Sequence, residues 1–299
     1  MKEKEKKSKG SGLVSRLIAR VKENRRAFRV FVILRAFIIF VLVRSILMGN
    51  YENAFTCVLS LLLLLIPAFV EEKFNIEVPQ LFQIIIYCFI VATEILGEVN
   101  HYYVNVKGWD TIMHTISGFL FAAVGFSTID LLNRKVKKIT LSPFYLTMVA
   151  FCFSMTIGVL WEFFECAMDI FFLHDMQKDQ IVQQFASSLL GSDKPLQVLD
   201  IEKTVIYTAG GEVTIDGGYL DIGILDTMKD LFVNLVGAVT FSIIGYLYEK
   251  NHSPKSIAPK LMLKPADDED APHDDGTAGP SSLGGSAQVS EKGKLEETI

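Results

Sequence analysis

Cysteine is scarce: there are four among 299 residues (Cys57, Cys88, Cys152 and Cys166), with no CxxC pair. That spacing implies no disulfide framework. Cys166, one helical turn after Glu162, reads as a buried small hydrophobe. Proline is thin too, at nine residues. Pro67 and Gly125 stand isolated, so the Gly-Pro interruptions that mark broken transporter helices are few, and no internal repeat is evident. No HExxH run is present. The net charge is −5, and basic residues form no long exposed stripe beyond the loops named below, which argues against nucleic acid as a partner.

Apolar residues are plentiful instead. Half the chain is hydrophobic and phenylalanine alone supplies 22 residues. A run of about 20 apolar residues spans a bilayer core, and six such runs are readable: Phe28–Met48, Ala54–Val70, Val78–Leu96, Trp109–Leu132, Pro143–Phe164 and Met228–Tyr248. The expected fold class is therefore all-α, a polytopic transmembrane bundle over residues 28–250. Membrane lipid is its implied partner.

Orientation follows from lysine and arginine near the spans. Eleven of them lie between Lys2 and Arg29, and Arg134-Lys135-Val136-Lys137-Lys138 follows the fourth span. Both segments fall inside if both termini are cytoplasmic in a multi-pass plasma-membrane protein. Residues 1–27 form a cytoplasmic basic segment, amphipathic from Gly12 onward, suited to an anionic leaflet. Residues 251–299, with Asp267-Asp268-Glu269-Asp270, read as a disordered acidic cytoplasmic tail. The insertion 173–224 then lies outside the cell. Its first half, Gln177–Leu190, is expected to be helical, and its second half, Lys203–Asp221, a hairpin around Gly210-Gly211. It caps the outer face as a lid, a passive connector or a docking surface for an envelope protein.

Ten polar side chains interrupt the apolar runs at helical steps: Glu94 and Glu98, Asp110 and His114, Glu162 with Glu165 and Asp169, and Asp226 with Asp230 and Asn234. Each set shares one helix face. A charge near the bilayer centre costs roughly 2.5–3.5 kcal/mol on the lenient insertion scale. On this topology all four sets fall in the outer layer, where they converge on one polar cavity. Asp110 at i and His114 at i+4 suit a metal-ligand pair, a carboxylate orienting an imidazole, or a packing hydrogen bond. Asp110 and Asp226 can each cap a helix. Three carboxylates over two turns at Glu162, Glu165 and Asp169 repel one another unless cations, protons or basic groups offset them. Asp169, Glu94 and Glu98 sit at the rim.

Seven residues form the expected metal set: Asp110, His114, Glu162, Glu165, Asp226, Asp230 and Asn234. Oxygen donors with one imidazole favour a divalent ion of the Mg, Mn or Ca type, with Zn or Fe reachable through His114. Bundle metal sites are built from such facing helices.

Those residues also carry a resemblance. Trp109-Asp110-x3-His114-x3-Gly118-Phe119, Trp161-Glu162-x2-Glu165, and Gly218-Tyr219-x-Asp221-x4-Asp226-x3-Asp230-x3-Asn234-x2-Gly237-Ala238 resemble the YjdF-like family of uncharacterised bacterial inner-membrane proteins over about residues 50–250. The resemblance implies that the seven residues match family motif positions, and it supplies no reaction. The two-histidine pattern of PAP2-type lipid phosphatases is absent, and Asp226-x3-Asp230 matches only the last fragment of the CDP-alcohol phosphatidyltransferase motif. The leading expectation is an outward-opening cation site, acting on a lipid or envelope substrate. A cation- or proton-coupled transporter and a polar-cored scaffold are the alternatives.

Overall fold

Among the described residues, six helical stretches are long and apolar enough to cross a membrane: Arg25–Leu47, Tyr51–Phe74, Gln80–Val99, Trp109–Asn133, Pro143–Phe172 and Ile224–Asn251. The computed structural model describes residues 25–135, 141–190, 196–251, 253 and 255–266. Most of the basic amino-terminal segment, residues 136–140 of the basic loop, and the acidic tail from residue 267 lie outside them. The fold is a polytopic helical bundle.

Local chemistry sets the helix limits. The first span is α1 (Arg25–Leu47). The second opens as α2 (Tyr51–Leu63), where Asn50 caps the backbone N–H of Asn53 at 3.0 Å. It breaks at Leu64–Leu65 and resumes as α3 (Ile66–Phe74), with Pro67 in the first turn, where a missing N–H costs nothing. The third span starts as α4 (Gln80–Ile90) and continues as a π-helical segment, Val91–Val99. A short turn, α5 (Tyr102–Asn105), leads to α6 (Trp109–Lys135). Ser142 caps α7 (Pro143–Phe172), and α8 (Ile224–Asn251) is the sixth span. The fifth span thus runs two turns past Phe164, and the sixth begins one turn before Met228.

Two apolar clusters hold the bundle. One gathers α1, α2, α3, α4 and the π segment around Phe31, Ile38, Leu64, Tyr87 and Ile95. The other gathers α4, α6, α7 and α8 around Phe82, Phe126, Leu146, Ala150 and Phe241. Small residues draw α6 and α8 together, the usual means of tight association in lipid. A Cβ on Gly237 of α8 would lie 2.0 Å from the Thr115 carbonyl of α6. One on Gly118 of α6 would lie 2.2 Å from the Asn234 carbonyl of α8.

Among its described residues the insertion between α7 and α8 contains short strands and no helix, which corrects the helix expected over Gln177–Leu190. β2 (Ile181–Val182) pairs with β7 (Tyr219–Leu220), and β3 (Gln184–Ser187) pairs with β4 (Gln197–Asp200). β5 (Lys203–Thr208) and β6 (Gly211–Asp216) form the expected hairpin. Pairing partners far along the chain overrode the local helical reading.

The start of the carboxyl-terminal region is a second correction, because residues 257–265 fold back into the bundle. A 3-10 turn at Ala258–Lys260 precedes β8 (Lys264–Pro265), which pairs antiparallel with β1 (Ile76–Glu77). Ala258, Leu261, Met262 and Leu263 are buried in the second cluster, and the Leu263 N–H donates to Ser127 Oγ at 3.0 Å. Emptying that wedge by Leu261→Ala is expected to cost about 2–4 kcal/mol, read as a lower midpoint of thermal unfolding in detergent.

Candidate functional site

Three helix ends meet at one end of the bundle: the start of α6, the end of α7 and the start of α8. From α6 come Asp110 and His114, with His114 Nε2 3.3 Å from Asp110 Oδ1. The other ring nitrogen, Nδ1, lies 3.7 Å from Glu162 Oε1 of α7. One turn on, Glu165 Oε1 accepts from the Trp161 indole N–H at 2.8 Å. From α8 come Asp226, Lys229 and Asp230. Lys229 Nζ is 2.6 Å from Asp226 Oδ1, 3.1 Å from Asp110 Oδ2 and 3.4 Å from Asp230 Oδ1.

Two sets of ligand atoms fall within 4.8 Å of one another: Asp110, His114 and Asp230 form one, and His114, Glu162 and Glu165 the other. Five of the seven predicted metal residues are therefore brought together. Asp226 touches the first set only through Lys229, while its Oδ2 accepts the Lys178 backbone N–H at 2.8 Å. Asn234 lies deeper, its Nδ2 3.5 Å from Met155 Sδ. A Cβ on Gly158 would sit 2.6 Å from that Nδ2, so Asn234 fills the slot between α7 and α6. The rim residues separate from the core. Asp169 accepts from the Met176 and Gln177 N–H groups at 2.7 and 2.8 Å and so fixes the turn after α7. Glu94 and Glu98 belong to neither ligand set.

Charge and satisfaction are both unbalanced here. Five carboxylates face one ammonium and one imidazole. Glu162 is 4% exposed and Asp230 1%, yet Glu162 Oε2 and Asp230 Oδ1 receive no hydrogen bond. The Lys229 contact to Asp230 is an ion-pair distance without hydrogen-bond geometry. A buried unpaired carboxylate oxygen is costly, so such atoms mark where a proton or cation belongs.

A cavity of about 150 Å³ opens above the core. Asp110, His114, Trp161 and Glu165 line its floor, and Glu98, His101, His174 and Lys178 its mouth. His101, His174 and Lys229 were missed by sequence reasoning. Lys229 had a signal, since it lies three residues after Asp226 on one face. His174 lies two residues beyond α7, at the same bundle end as Asp169. Tyr103 also lines the cavity. Burial, and then the carboxylates Glu98 and Asp110, hold its phenol above the usual range, so it stays a donor. Deeper than Asn234, Phe119, Phe126 and Phe241 pack together in the second cluster. The Phe241 ring stands edge-on to the other two at 5.2 and 6.0 Å.

The insertion is tied to this end through Asp221, which lies outside the spans. Its carboxylate accepts backbone N–H groups from Gln180 at 2.9 Å, Gly223 at 3.2 Å and Leu225 at 2.9 Å. Burial alone would raise its pKa, but these three donors outweigh it and hold the carboxyl below the usual range.

Among known proteins, the family described as "Predicted membrane protein (DUF2238)" matches residues 29–251. No curated protein and no solved structure matches the chain.

Proposed function

The chain belongs to the predicted membrane protein family DUF2238, and on that premise we propose that it holds a divalent cation between His114, Glu162 and Glu165. One observation carries the reading. Asp110 Oδ1 lies 3.3 Å from Nε2 of His114, and with the ring proton on that side the Nδ1 lone pair faces Glu162 Oε1, 3.7 Å away. Two acceptors do not face each other in a buried site unless a positive species lies between them. Glu165 supplies a third donor within ligand reach, and the unpaired Glu162 Oε2 a further oxygen.

In this reading His114, Glu162 and Glu165 hold the ion. Asp110 orients the imidazole, as carboxylates commonly do for ligating histidines. Trp161 fixes Glu165 through its indole N–H. An ion of the Mn or Zn class suits one imidazole with carboxylates, and Mg or Ca suits the oxygens. When bound, it supplies Lewis acidity toward a substrate oxygen or water. The substrate is a lipid or envelope component reaching the cavity mouth. The basic segments support a plasma-membrane protein with both termini cytoplasmic and the cavity facing outward, and the ordered motifs support placing it with YjdF-like bacterial members.

Elemental analysis of full-length protein, purified without chelators and equilibrated with Mn²⁺ or Zn²⁺, tests this. The expected result is about one equivalent in wild type, lost in His114→Ala and Glu162→Gln, with Asp110→Asn about 10–100-fold weaker. Wild type without metal would sink the reading and leave a proton on Nδ1.

A further inference from the structure

We infer that the two edges of His114 serve two cation loci, and that Lys229 is a tethered cation occupying the second. The inference rests on the cation reading of the first locus.

The two ligand sets share His114 and nothing else, and they lie on opposite edges of its ring. Nδ1 faces Glu162, and Nε2 faces Asp110. The second edge is where Lys229 Nζ sits, within 3.4 Å of oxygens from Asp110, Asp226 and Asp230. An ammonium there stands in for a metal ion in position and sign. It is an imperfect substitute on two counts. A single positive charge meets three carboxylates. Asp230 Oδ1 also stays without a hydrogen bond although its residue is 1% exposed. Lys229 and Asp230 are consecutive on α8, so their side chains leave the helix about 100° apart and cannot align well. The unsatisfied oxygen is thus aimed into a locus that its own neighbour fills incompletely.

With Nε2 protonated toward Asp110, as the first locus requires, the imidazole contributes no lone pair on this side. The donors are carboxylate oxygens alone, which select a hard ion of the Mg²⁺, Mn²⁺ or Ca²⁺ class. The lysine side chain is 40% exposed on a flexible four-carbon stem, so replacing it does not unpack α8. Lys229 therefore holds the wild-type site to one ion, and its removal opens a second place.

The test is a Mn²⁺ titration of the full-length chain in detergent, with free Mn²⁺ followed by electron paramagnetic resonance. Lys229→Gln is expected to bind one ion more than wild type, while Lys229→Arg keeps the wild-type count. Lys229→Gln combined with Asp230→Asn is expected to lose the added ion. Lys229→Met retains the apolar stem and is the second variant should the glutamine substitution fold poorly. An unchanged Mn²⁺ count in both neutral variants, with wild-type elution and helical circular dichroism, would overturn the inference. Failure of the underlying reading looks different: wild type and His114→Ala would both bind nothing, whatever stands at 229.

Discussion

Gly237→Leu is expected to be the most damaging single substitution in the transmembrane bundle. The Cβ alone would come within 2.0 Å of the Thr115 carbonyl and 2.8 Å of the Phe119 amide nitrogen. Both are backbone atoms, so no rotamer change relieves the clash and α6 must move away from α8. Overpacking typically costs about 1–3 kcal/mol and sometimes more, and a backbone-on-backbone clash belongs at the upper end. For a domain of this size, about 3 kcal/mol corresponds to a fall in unfolding midpoint of roughly 6–12 °C. The shift would also separate Asp230 from Asp110 and His114. Gly118→Leu acts on the same crossing through the Asn234 carbonyl and should behave alike. A midpoint within a degree of wild type would show that the helices are not in this contact.

Asp221→Ala is expected to release the insertion from the helix ends. The substitution strands three backbone N–H donors that now share one carboxylate. Hydrogen bonds to a charged group contribute about 1.5–3 kcal/mol each. The three are not additive, and a local loss of roughly 4 kcal/mol is a reasonable scale. The readout is amide exchange over residues 177–183 and 221–225, which should quicken by orders of magnitude while the spans stay protected. Acid should do the same to wild type. The folded pKa of Asp221 is depressed, so its contribution is complete above the unfolded value near 4. It is lost as pH falls through the lower folded value. Exchange in this segment should therefore rise below about pH 4, and Asp221→Asn should flatten that dependence. A wild-type segment equally protected on both sides of that window would refute the linkage.

Much of the fold was legible because lipid allows few solutions. A chain with no water to satisfy its backbone must form helices or a closed barrel, and the length of each apolar run counted the spans. The same physics made the polar residues legible, since helical spacing put Asp110 with His114 and Glu162 with Glu165 on shared faces. What periodicity could not supply was the partner of each face. Lys229 reads as an ordinary charge beside Asp226 until α6 brings Asp110 to it. The π-helical Val91–Val99 has no counterpart in the apolar pattern, and Pro67 is the one sequence sign of the break at Leu64–Leu65. The helical expectation fails at β2 and β3 because Ile181 pairs with Leu220 and Phe185 with Leu199, far along the chain. The wedge was hidden by averaging, because Ile257-Ala258 and Leu261-Met262-Leu263 were judged with the acidic stretch that follows.

That wedge has a consequence for how the protein is made. Its residues complete a core shared by α4, α6, α7 and α8, but they follow the sixth span in the chain. Synthesis runs from the amino terminus, so residues 258–263 are the last part of this core to leave the ribosome. The packing of α4, α6, α7 and α8 is therefore completed only when Leu261 and its neighbours dock, as the closing step of assembly.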